Sequence, residues 1–125
     1  MSEAALSYVS AMMESMGIPY RFMEWTTKPP EDRYFVGEYI QPETLTREES
    51  GRQDITFILR GFTQGAWDVL IRDDETIAKN AAKTAILPDG TGIAVFYGGS
   101  SIVPTDDANW KSIKINLNMQ EWKVN

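Results

Sequence analysis

Glu24 and Glu38 stand on two strand-like segments that follow one another in the chain. Paired carboxylates on adjacent strands can do acid–base chemistry when their surroundings split their pKa values. Acids on strands are more often simply solvated. Asp73-Asp74-Glu75 has the composition of a hard-cation site. Consecutive helical positions point in different directions, however, and do not converge on one ion. Gly98-Gly99 is followed by no Gly-Lys-Ser/Thr and belongs to no G-x-G-x-x-G fingerprint, so it reads as a turn before Ser100-Ser101. The chain contains neither histidine nor cysteine. Thiol nucleophiles, thiolate zinc sites, disulfides and a Ser-His-Asp relay are thereby excluded, as is the commonest general base near neutral pH. The sequence reads as non-enzymatic, with no catalytic residue, metal ligand or cofactor to assign.

Binding is the activity that remains, and charge limits the partners. Eighteen acids against twelve bases give a net charge of −6, and the bases form no run. That balance opposes sequence-independent binding to a phosphate backbone, which needs clustered Lys and Arg. No apolar run approaches the roughly 18 residues that span a bilayer. Met1-Ser2-Glu3-Ala4-Ala5 lacks the basic n-region of a secretory signal. The chain has 125 residues, 42% of them hydrophobic and 24% charged. It is therefore expected to form a single domain over 1–125.

The elements that would position a binding surface follow from periodicity. Residues 3–16 read as an amphipathic helix with Ala5, Val9, Met12 and Met16 on one stripe, capped by Ser2 and stopped by Gly17. Tyr20 to Thr26 and Tyr34 to Ile40 read as aromatic-rich strands separated by Lys28-Pro29-Pro30-Glu31-Asp32. Gly37 marks a bulge or a close backbone approach. A third strand spans Asp54 to Phe62, with Ile55, Phe57 and Leu59 on one face. A second helix, about Ala66 to Ala82, follows a Thr63 N-cap and carries the Asp68–Arg72 and Glu75–Lys79 pairs. Gly92 to Tyr97 is apolar enough to be buried on both faces. Lys111 to Trp122 alternates Ile113, Ile115, Leu117 and Met119 with polar residues, as a strand covered on one side does. The expectation is an α+β fold in which a mainly antiparallel sheet of about five strands is covered by two helices, in the order α-β-β-β-α-β-β.

Two segments are long enough to project from such a scaffold. Residues 41–53 are polar with one aliphatic side chain, and contribute Leu45, Arg47, Glu48, Glu49 and Arg52 as candidate interface residues. The turn from Ser100 to Trp110 contributes Ser101, Asp106, Asp107 and Trp110. Trp110 and Trp122 flank the last strand, where either an interface or a core role is open.

Ile18-Pro19-Tyr20-Arg21-Phe22-Met23-Glu24-Trp25 and Tyr34-Phe35-Val36-Gly37-Glu38-Tyr39 form one recognisable block. Gly92 to Gly98, Val103-Pro104-Thr105, Ile113 to Leu117 and Glu121-Trp122 form a second. In combination they resemble small structural proteins of long-tailed bacteriophages and prophages, most of all the tail-terminator (tail-completion, head–tail joining) group. The resemblance extends over nearly the whole chain through its order of strands and turns. It implies a ring homo-oligomer, commonly a hexamer, that caps the tail tube, stops its polymerisation and docks to head connector proteins. It further implies assembly in the host cytoplasm and a final place in the virion tail. DNA would be only a passing cargo, and excess acid around a lumen would keep it from sticking. The group shares no active site, so no residue role is carried over.

A reading of a different class is a binding module for a small ligand or host factor, its pocket lined by Tyr20, Phe22, Trp25, Tyr34, Tyr39 and Trp67. Rings of this kind more often pack a core.

Overall fold

Ser2 sits in extended backbone and its hydroxyl accepts from the Ala5 amide at 3.2 Å, which starts helix α1, Glu3–Ser15. Gly17, at φ 71°, ends it in the left-handed conformation that glycine tolerates. The computed structural model describes residues 1–30, 32–41 and 52–123. After α1 come β1 (Tyr20–Phe22), β2 (Tyr34–Ile40), β3 (Arg52–Thr63), α2 (Trp67–Asn80), β4 (Lys83–Ile86), β5 (Thr91–Val103) and β6 (Lys111–Lys123).

The six strands form one sheet in the order β1-β2-β3-β6-β5-β4. The α+β class stands, but the sheet is mixed and has one strand more than expected. β1 runs parallel to β2, with Tyr20 opposite Phe35, while the other four neighbouring pairs are antiparallel. β1 is also shorter than its aromatic run. Met23 turns to φ 67° after Phe22, while its amide still reaches the Gly37 carbonyl at 2.8 Å.

Residues that pair across antiparallel strands share a face. Phe35, Ile55, Phe57, Leu59, Ile113, Ile115, Leu117, Met119, Ile93 and Val95 therefore line one side of the sheet, and all are buried. Both helices cover that side: Ala5, Val9, Met12 and Met13 of α1 join Leu70 and Ile77 of α2 in a single core with them. Glu121 locks α1 to the end of β6, since its carboxylate accepts from the Ser2 hydroxyl and backbone amide. An acceptor at a helix N-terminus also suits the helix dipole. Gly37 is a close approach rather than a bulge, because Tyr20 and the Phe57 ring occupy the space a Cβ would take.

Two further expectations are corrected. Thr63 does not cap α2. Ala66 is the N-cap without a side-chain bond, and Thr63 instead accepts from the Gly65 amide at 2.9 Å and donates to the Asp32 carbonyl. Gly98-Gly99 is not a turn but an irregularity inside one long strand. The β5–β6 register jumps between Tyr97 and Ser100, and Gly99 takes φ 104°.

Candidate interaction surface

The two described helices lie on one side of the sheet, and on the other side Ile58 and Ala94 are nonetheless buried. Cross-strand register orders the side chains of that other side into rows. At one end Ile86, Gly92, Trp122 and Arg52 form a row across β4, β5, β6 and β3. Phe96, Asn118, Thr56 and Ile40 form another, and Ser101, Lys114, Arg60 and Val36 a third. Ile40, Ile86 and Phe96 are large, apolar and exposed. The expectation that Gly92 to Tyr97 is buried on both faces fails at Phe96, which is 49% exposed where β4 ends and the strand loses its outer neighbour. Between these rows the amide oxygen of Asn116 is buried and accepts no hydrogen bond from any described protein group.

The far end of this face is closed by aromatic packing. Tyr34 stacks on Phe62 with ring centres 5.1 Å apart, and Trp110 and Trp25 each meet Tyr34 edge-on at 5.8 Å. The Arg21 guanidinium lies 4.7 Å from the centre of the Trp25 ring. Burial raises the Tyr34 hydroxyl above its ordinary pKa.

The sequence-derived interface residues separate on this frame. Leu45, Arg47, Glu48 and Glu49 lie outside the described residues. Arg52 is exposed at the start of β3 and pairs with Asp54 at 3.4 Å. Ser101 sits on β5 opposite Lys114, and Asp106 and Asp107 are exposed in the β5–β6 connection. Trp110 is half-buried against Tyr34 and the Thr105 hydroxyl donates to its carbonyl at 2.8 Å, so it is held rather than projecting. Trp122 is half-buried over Gly92. Phe96, Ile40 and Ile86 were missed. Of these, Ile40 carries a signal, as an even-numbered apolar residue in a strand whose buried positions, Phe35 and Gly37, are odd.

The six rings proposed for a pocket do not converge. Phe22 stacks on Tyr39 and Phe57 at the helix side, Trp67 packs against the core, and Trp25 and Tyr34 belong to the other face. Nor do the acids. Glu38 meets Arg60 at 2.5 Å, whereas Glu24 is exposed after β1 has ended. Asp73 meets Arg33 at 2.9 Å, while Asp74 turns to β5 and accepts from Tyr97 at 2.6 Å and Ser100 at 2.7 Å. A hollow beside α2, lined by Asp32, Arg33, Val69, Arg72 and Asp73, has its cations engaged. Arg33 also donates to the Gly17 carbonyl at 2.8 Å, and Arg72 pairs with Asp68 at 3.4 Å. Among the described residues no group of three or more His, Cys, Asp or Glu side chains is placed to hold a metal ion. No described helix is long and apolar enough to cross a membrane.

No protein-family model matches the sequence, and no curated protein matches it significantly.

Proposed function

We propose that this chain is a structural protein of a long-tailed phage or prophage, which caps the tail tube as a ring and joins it to the head connector. The sequence resemblance to tail terminators supplies the role. The observation that carries it physically is the six-stranded sheet whose two described helices lie on one side, while Ile40, Ile86 and Phe96 are exposed on the other. A sheet face with exposed apolar side chains suits contact with other protein surfaces. It asks nothing of bond chemistry. Ring closure needs head-to-tail contacts, and a rigid sheet with different residues at its two ends offers them.

Mixing the purified chain with assembled tail-tube protein tests the proposal. Under this reading the protein pellets with the tubes and electron micrographs show a ring at one end only. Protein that stays in the supernatant while tubes remain bare at both ends would overturn it.

A further inference from the structure

β4 pairs only with Gly92 through Val95 of β5. From Phe96 to Val103 no described strand lies on the outer side, so among the described strands none takes up the backbone donors and acceptors that point away from β6. Soluble proteins blunt such edges with charged side chains or proline. Residues 96–103, Phe-Tyr-Gly-Gly-Ser-Ser-Ile-Val, contain neither, and the bulge at Gly98-Gly99 is the one protective device present.

We infer that this edge is a docking site for the same edge of a second copy, forming a two-fold antiparallel pair that joins two sheets into one. The register follows from the side chains. Placing Phe96 opposite Val103 of the second copy sets Tyr97 opposite its Ile102, Gly98 opposite its Ser101 and Gly99 opposite its Ser100. Phe96 and Val103 both belong to the face turned away from the helices, where they pair with Asn118 and Ser112. Tyr97 and Ile102 both belong to the helix side, where they pair with Leu117 and Ile113. The bulge makes this possible, because the extra residue brings both apolar pairs onto matching faces. Ile102, 65% exposed in the single chain, is covered by this arrangement. A slip of one residue would set Phe96 against Ile102, which point to opposite sides.

Length and charge agree with the same occupant. The open lane begins beside Lys83, which stands opposite Val95, and ends where Pro104 lacks the amide to continue a strand. A second copy fills the lane and leaves it at Lys83 of the first. Its Asp106 and Asp107, exposed in the turn that follows, then lie toward that lysine. The two-fold axis repeats this acid–base match, and residues 96–103 themselves carry no charge, while Asp74 of each copy, held by Tyr97 and Ser100, stands on the helix side near the axis. The inference does not depend on a tail role. A two-fold contact cannot continue into a ring, so on the tail reading it is the form of the subunit before assembly.

The chain has no cysteine, which permits a clean register test. Phe96→Cys and Val103→Cys proteins are prepared separately and oxidised alone and as a mixture. Facing residues of an antiparallel pair have Cα atoms about 4.5–5.5 Å apart, within disulfide reach. Phe96 is far from its own symmetry mate, as is Val103. Cross-linked dimer in the mixture, and little in either protein alone, is expected. Equal cross-linking in the separate samples, or none in the mixture, overturns the register. Sedimentation of the unmodified chain should show a dimer, and Ile102→Lys, at an exposed position, should weaken it roughly tenfold or more. A monomer at all concentrations, or a dimer indifferent to Ile102→Lys, contradicts the docking itself.

Discussion

The ring of Trp122 covers Gly92 so closely that a Cβ at that glycine would overlap the indole. The two residues face one another across β5 and β6 on the side of the sheet without helices. Gly92→Ala would ordinarily favour a strand by reducing backbone entropy in the unfolded chain. Here displacement of the indole dominates, and a loss of about 1–3 kcal/mol is expected in urea unfolding. The double variant with Trp122→Ala should be no less stable than Trp122→Ala alone. Additive losses would refute the overlap.

Asp74 of α2 accepts from Tyr97 and Ser100, which flank the irregularity in β5. Burial and the bond to Asp74 both raise the Tyr97 hydroxyl above its ordinary pKa. Asp74→Ala should cost roughly 1–2 kcal/mol, since the site is partly exposed. Hydrogen exchange at Gly98 to Ser101 should accelerate more than exchange elsewhere in β5. Uniform acceleration across the strand would show that Asp74 does not hold the bulge.

Trp110 packs edge-on against Tyr34 beside the Tyr34–Phe62 stack. Trp110→Ala is expected to lower the stability of the isolated chain by about 1–3 kcal/mol, through lost packing of a half-buried ring. An unchanged melting temperature, with assembly impaired, would make the tryptophan an interface anchor instead.

Asp73 lies against Arg33 in a buried setting. Desolvation raises its carboxyl by more than the guanidinium lowers it, so the folded pKa stands above the ordinary value. The folded chain then keeps this proton to higher pH than the unfolded chain. The stability that proton contributes is present below the unfolded pKa of about 4 and is lost as pH rises through the folded value. Urea midpoints across that acid range should fall with pH more in the wild type than in Asp73→Asn. Parallel curves would remove Asp73 as the source.

Much of the sheet was legible because side-chain period exposes a half-buried strand. Ile113 to Met119 alternate without a break, and β6 lies where that pattern places it. α1 was equally plain, since Ser2 and Gly17 bracket its stripe. β4 was not. Lys83-Thr84-Ala85-Ile86 follows a helix too closely, and is too short, to show a period of its own. The parallel pairing of β1 with β2 leaves no local mark either, because it depends on where a chain segment without regular structure returns. For the surface, the turn acids Asp106 and Asp107 could be placed from polarity alone. Phe96 could not, because an exposed ring inside an apolar run looks like core until the missing neighbour strand is known.

Tail-tube growth in the presence of this protein tests the proposed role most directly. Tube subunits polymerising with increasing amounts of the chain should give shorter tubes of narrowing length distribution, each closed at one end by added density. Tubes that lengthen at the same rate and to the same extent with or without it would contradict a terminator.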